Sequence, residues 1–222
     1  MTTALLFDFF GTLVDYSPSR TTQDFHRSHA LVPQLGYAEF LTAVDDRFAD
    51  FERRCDADDS EFSMDEVAAD FFTSIGSTGD PARFARTYLA EWQTAVRVLD
   101  GLDGLLRQLH ERHRLAIVSN THSPSMVPAY LAAWGVADLF DAVVLSVDVG
   151  RRKPHPLIYR TALAELGVPA ADAVFVGDSY VADFRGPTEQ GIAAYLIDPQ
   201  ARTPVPAARR ISSVFDLPGL LT

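Results

Sequence analysis

Four short stretches carry the residues whose types and spacing could do chemistry. ALLFDFF contains Asp8, LAIVSN ends in Ser119 and Asn120, GRRKPHP holds Lys153, and AVFVGD ends in Asp178 with Ser179 next. A further run, AVVLS, closes on Ser146, with Asp148 two residues on. Taken one at a time, an aspartate or serine in such a place is ordinarily a helix cap or a turn former. Acids gathered at neighbouring strand ends are another matter, because like charges held together cost free energy unless a cation joins them. A divalent ion with hard oxygen ligands, such as magnesium, fits that set. Lys153 could add a second positive charge.

The positions of these residues depend on the elements that carry them. Five apolar runs, at 4–10, 115–120, 142–146, 173–178 and 193–198, are nearly continuous in hydrophobicity. That is the pattern of strands covered on both faces of a parallel sheet. Helical patterns at 100–113, 123–135, 156–167 and 180–191 lie between the later runs, each of the last three ending near a glycine. Alternating strand and helix predicts an α/β fold, a Rossmann-like doubly wound parallel sheet. In such sheets ligands bind outside the carboxyl ends of the strands, where four of the five runs place polar residues. Residues 16–96 break the rhythm and read as helices at about 20–34, 37–55, 63–76 and 81–96. The chain therefore divides into a core of 1–15 plus 97–222 and an inserted all-helical domain of 16–96. ARTPVPAARR reads as a solvated loop before a final short element.

Composition narrows the classes of partner. The 222 residues are 47% hydrophobic, enough for a substantial core, and carry a net charge of −11. An acidic surface argues against nucleic acid and anionic membranes as partners. The single cysteine, Cys55, excludes an intrachain disulfide and a cysteine-rich zinc site, and suits a reducing compartment. No apolar run has the length of a membrane span, and MTTA leads straight into the first strand without a cationic leader. The expectation is a cytoplasmic protein.

Read together, the four stretches resemble the haloacid dehalogenase (HAD) superfamily of hydrolases over nearly the whole chain. The first motif, D-x-D-G-T after a hydrophobic strand, stands here as Asp8-Phe9-Phe10-Gly11-Thr12. The second, a strand ending in Ser or Thr, is Ser119. The third, a lysine followed by proline, is Lys153 in RKPHPLIY. The fourth, G-D-x-x-x-x-D, is Gly177-Asp178-Ser179-Tyr180-Val181-Ala182-Asp183. The resemblance implies that the helical insert is a cap that closes over the site, hinged near Tyr16–Ser19 and Ala95–Asp100. It implies a nucleophilic Asp8 forming a covalent aspartyl intermediate. Magnesium would be held by Asp8, the main-chain carbonyl of Phe10, and Asp178. Ser119, Asn120, Lys153 and Thr12 would line the substrate site, with Asp183 holding Lys153 and with Ser179 and Tyr180 beside the metal. The implied substrate is a small molecule, a phosphate ester or anhydride.

Phe10 departs from the pattern. The family's phosphatases place a second acid there to protonate the leaving group and then activate water. The 2-haloacid dehalogenase branch lacks that acid, since a halide leaves without a proton. Gly177-Asp178, however, keeps the metal-binding form, which dehalogenases usually replace. Three readings follow: a magnesium-dependent phosphatase, a 2-haloacid dehalogenase, or a binding protein that retains the site without turnover. Asp15 and His122 are candidates to replace the missing acid. Arg20 and Arg27 are candidates for the arginine with which dehalogenases cradle halide or carboxylate.

Overall fold

The computed structural model describes residues 4–16 and 24–221. The chain forms two compact units, one of Met1–Asp15 with Val98–Thr222, the other of Tyr16–Arg97.

The first unit is built on a six-stranded sheet. In chain order its strands are β1 (Ala4–Phe7), then, after the short β2 (Val14–Tyr16) and β3 (Val96–Val98), β4 (Arg114–Ser119), β5 (Ala142–Leu145), β6 (Ala173–Gly177), β7 (Ala193–Ile197) and β8 (Arg210–Ile211). β2 and β3 pair with each other, where the chain leaves the first unit and returns to it. The large sheet has the order β5-β4-β1-β6-β7-β8 and is parallel throughout. β1 is central, with β4 and β5 on one side and β6 to β8 on the other. The strand order reverses there, which makes the end of β1 the crevice of the sheet.

Helices of the second unit are α1 (His26–His29), α2 (Tyr37–Cys55), α3 (Met64–Ser74) and α4 (Pro81–Trp92); those of the first are α5 (Leu102–His110), α6 (Met126–Ala133), α7 (Ser146–Val149), α8 (Pro156–Leu166) and α9 (Gly186–Glu189). In the sheet's core Leu6, Val118, Val144, Ile158, Tyr159 and Phe175 pack together. β1 is buried along its whole length, as its unbroken hydrophobicity predicts. Among the described residues no helix is long and apolar enough to cross a membrane.

Three segments depart from the periodicity. The pattern over 20–34 yields only α1, because Pro33 has no N–H and biases the residue before it away from helix; residues 20–23 lie outside the described residues. The pattern over 81–96 stops at Trp92, and Val96 enters β3. The pattern over 180–191 splits into a π-helical turn, Tyr180–Arg185, followed by α9, whose second residue is Pro187. The loop at 201–210 is tied down by one carboxylate: Asp198 accepts bonds from the N–H groups of Arg202 and Thr203, the Thr203 hydroxyl and Arg210 Nε. β8 then closes the sheet's edge.

The helical unit has its own aromatic core of Phe40, Phe71, Phe72, Phe84 and Tyr88, into which Cys55 is also buried. Inside it, Glu91 is buried and receives the N–H groups of Arg27 and Ser28 at 2.8 and 2.9 Å, together with the Ser28 hydroxyl. These are the unpaired donors at the start of α1, where a carboxylate is stabilised by aligned amides. Glu91→Ala should lower unfolding free energy by about 2–4 kcal/mol, because it strands buried donors, whereas Glu91→Gln should lose less. Urea denaturation of the three proteins checks this ordering.

Candidate active site

Asp8 directly follows β1, and its N–H still bonds to the Val176 carbonyl at 2.9 Å, so the main chain beneath the carboxylate is part of the sheet. The chain then folds back on itself. The N–H groups of Leu13 and Val14 both point to the Phe9 carbonyl, at 3.0 and 3.2 Å. This turn brings the Thr12 hydroxyl round to donate to Asp8 Oδ2 at 3.1 Å. Gly11 makes the turn possible, with φ of +86° and a position where a Cβ would lie 2.4 Å from Asp178 Oδ2.

Lys153 closes the site from the other side. Its Nζ donates to Asp8 Oδ1 and to Asp183 Oδ1, each at 2.7 Å, and the residue is 4% exposed. The ammonium also lies 5.2 Å from the centre of the Phe175 ring. Asp183 is 1% exposed and is held by the Ser179 N–H at 2.9 Å. The Ser179 hydroxyl caps the π-helical turn that carries it, accepting from the Ala182 N–H. Gly177 is what lets this turn sit so close: a Cβ there would lie 2.4 Å from Asp183 Cγ. Both glycines of the first and fourth motifs thus make room for a carboxylate.

Asp8, Asp178 and Asp183 each offer an oxygen within 4.8 Å of the others. Two of the three carboxylates are paired with one ammonium, which leaves an excess of negative charge. The electrostatics show it. Burial, and after it the charge on Asp8, push Asp178 up to about 6. Burial likewise raises Asp183, with Lys153 pulling against it. Burial opposes the charge on Lys153, but Asp183 and Asp8 outweigh it and keep the group protonated.

The remaining expected residues are spread more widely. Ser119 ends β4 fully buried, and its hydroxyl makes a long 3.5 Å bond to the Asn120 carbonyl. Asn120 uses its amide on Lys153 itself: Nδ2 donates to the Lys153 carbonyl at 3.1 Å, and the Lys153 N–H donates to Oδ1 at 2.8 Å. Phe10 is half-buried, its ring edge-on to Phe9 at 4.9 Å. Phe9 is fully buried and stacks on Trp134 at 5.8 Å. Tyr180 stacks on Phe184. Asp15 and Asp148 are exposed, and His122 is half-buried. Arg27 is engaged with Glu91 inside the helical unit. Arg20 and the expected hinge residues Ser17–Ser19 lie outside the described residues. One supporting contact had only a weak sequence signal, a serine at a strand end: Ser146 Oγ accepts the Thr121 N–H at 2.8 Å and donates to its carbonyl at 3.3 Å.

A central strand ending in a carboxylate, clasped by a buried lysine beside two further aspartates, defines a hydrolase of the haloacid dehalogenase type. The sequence profile of the haloacid dehalogenase-like hydrolase family matches residues 2–187, and the chain belongs to that family. Among its relatives, ribulose-1,5-bisphosphate 5-phosphatase of Halopiger xanaduensis is 26% identical over 213 residues, 90% of this chain and 86% of that one. Haloacid dehalogenase-like hydrolase domain-containing protein 3 of Homo sapiens is 36% identical over 116 residues, 51% of this chain and 44% of that one, so the match spans less than half of that relative. Two solved structures share the fold at a TM-score of 0.70. A 2-haloacid dehalogenase from Pseudomonas syringae pv. Tomato is 20% identical, covering 100% of this chain and 98% of its own. A HAD phosphatase from Thermococcus onnurineus is 24% identical, covering 99% and 98%.

The raised Asp178 has a consequence for stability without metal. The folded protein binds this proton more tightly than the unfolded chain, so stability falls as pH rises from about 4 through about 6. In a chelator, Asp178→Asn should be more stable than the parent by about 1 kcal/mol above pH 6, the electrostatic effect being reduced by solvent at this exposed position. The gain should vanish near pH 4. Thermal melts across that range check the sign; a gain that persists at pH 4 would come from some cause other than charge.

Proposed function

We propose that this chain is a magnesium-dependent phosphatase that hydrolyses a small phosphate ester or anhydride through an aspartyl-phosphate on Asp8. The observation that supports it most is Asp178. It adds a third carboxylate to a site where one ammonium already faces two, an arrangement that favours a divalent cation. The donors suit magnesium: hard oxygens from Asp8, Asp178 and the Phe10 carbonyl, on a turn where Gly11 leaves Asp178 its space. When bound, the ion supplies positive charge to the phosphoryl oxygens. Halopiger xanaduensis ribulose-1,5-bisphosphate 5-phosphatase, similar over nine-tenths of this chain, supports the same choice.

The chain's own groups perform the displacement. Thr12 and Lys153 hold the two oxygens of Asp8 and fix the carboxylate's orientation. One of these oxygens forms a bond to phosphorus, and the bond from phosphorus to the leaving oxygen breaks. Lys153 stands against the charge of nucleophile and phosphoryl group, and the Ser119 hydroxyl exchanges its long bond for a phosphoryl oxygen. Water then bonds to phosphorus, the bond from phosphorus to the Asp8 oxygen breaks, and inorganic phosphate leaves carrying the water's protons, which regenerates the Asp8 carboxylate. The helical unit of Tyr16–Arg97 acts as the cap that selects substrate, and the lone buried Cys55 suits a cytoplasmic setting.

Phe10 then sets the leaving-group range. Without an acid at position 10, acyl and aryl phosphates, which leave as stable anions, are good substrates; alkyl phosphates are slower by about 10²–10⁴-fold. The same residue is the one observation in favour of 2-haloacid dehalogenase chemistry, where the leaving halide needs no proton. A panel of aryl and alkyl phosphates and chloroacids, with and without magnesium, separates the two. Magnesium-dependent turnover of aryl phosphates is expected; metal-independent turnover of chloroacids alone would establish the dehalogenase instead. Asp8→Asn should abolish either activity while the protein remains folded. Phe10→Asp should raise alkyl phosphatase activity without a matching gain on aryl esters, provided its melting temperature shows that the new acid is tolerated.

A further inference from the structure

Lys153 is the only lysine in the chain; every other Lys/Arg position is arginine. It lies in the turn between α7 and α8, where no helix or strand bonding holds its own N–H and carbonyl. Both of those groups go to one side chain. The Lys153 N–H donates to Asn120 Oδ1 at 2.8 Å, and Asn120 Nδ2 donates to the Lys153 carbonyl at 3.1 Å. Two bonds to the same residue fix its main chain in both place and rotation. That matters because a lysine reaches its partners through a flexible four-carbon stem, whose end is only as well placed as its root.

The anchor is itself anchored. Asn120 follows the last residue of β4, and Thr121 is pinned to the end of β5 by both polar atoms of its peptide units, through Ser146. A rigid link thus runs from the ends of β4 and β5, through Asn120, to the root of Lys153. From there the ammonium spans Asp8 and Asp183.

We propose that Asn120 is a positioning residue that seats Lys153 between Asp8 and Asp183, rather than a group that binds substrate. The kinetic arm of the test rests on the phosphatase reading; the spectroscopic arm does not. Because there is one lysine, full-length protein labelled with [15N]lysine gives a single backbone amide signal, that of Lys153, whose N–H is the donor to Asn120. In Asn120→Ala this signal should move upfield, and its exchange with D2O should quicken by about tenfold or more as the bond is lost. With p-nitrophenyl phosphate and magnesium, kcat should fall by about tenfold while KM stays within about twofold, as for a displaced catalytic group. Asn120→Asp keeps an oxygen for the Lys153 N–H but loses the donor to the Lys153 carbonyl, so its amide should exchange more slowly than that of the alanine variant. It serves as the comparison if the alanine variant melts early. An Asn120→Ala protein whose Lys153 amide is unchanged in shift and exchange, or whose KM rises at constant kcat, overturns the proposal. Should the parent turn over no phosphate ester, the phosphatase reading fails and the amide signal alone decides whether Asn120 holds Lys153.

Discussion

The site depends on one buried ammonium. Lys153 is taken almost wholly out of water and placed between two aspartates, one after β1 and one in the turn after β6. Removing three charges from water is expensive, and their mutual attraction offsets this only when the geometry is good and the remaining lone pairs are satisfied. Most of the surrounding detail supplies that geometry. Thr12 takes the other oxygen of Asp8, the Ser179 N–H takes the other oxygen of Asp183, and Asn120 holds the lysine's main chain. Gly177 has no side chain because Asp183 occupies the space where one would be.

Position 10 sets the chemical tension in the molecule. The turn after Asp8 preserves everything that depends on the main chain: the folded-back hydrogen bonds, the positive φ of Gly11 and a carbonyl at residue 10. Only the side chain differs, an aromatic ring standing edge-on to Phe9. In the proposed phosphatase, metal binding would depend on the first set and proton transfer on the second, so the two functions could separate. The solved structures with this fold include both a 2-haloacid dehalogenase and a phosphatase, and the fold cannot choose between them. The choice lies in the charge that Asp178 adds and the proton that Phe10 cannot supply.

Much of this was legible in the sequence. Continuous hydrophobicity marks β1, β4, β5, β6 and β7 to within a few residues, because strands buried on both faces have no polar side to alternate with. The helical run over 37–55 coincides with α2, and Asp8 and Asp178 directly follow β1 and β6. Local signals failed where bonding depended on partners far along the chain. α1 is short because of Pro33, but it is held by Glu91, some sixty residues away. The run at 180–191 has helical periodicity, yet it forms a π-helical turn and a separate α9, in an arrangement that places Asp183 against Gly177 and Lys153.

The sequence by itself determined the kinds of group available and their order: a carboxylate after the first strand, a serine and asparagine after another, a lysine before a proline, and an acid following glycine. It determined the α/β alternation too, since periodicity is a property of neighbours. What only the tertiary structure decided is which groups share atoms. The family resemblance implied Asn120 in the substrate site; what the structure adds is that its amide meets the main chain of Lys153, thirty-three residues on. Ser146 read as a polar strand end, and its hydroxyl proves to fasten Thr121. Such pairings are set by the order of strands in the sheet, which brings β5, β4, β1 and β6 side by side from distant parts of the chain. No local pattern records that order, because the cost of closing those loops is met by burial across the whole sheet.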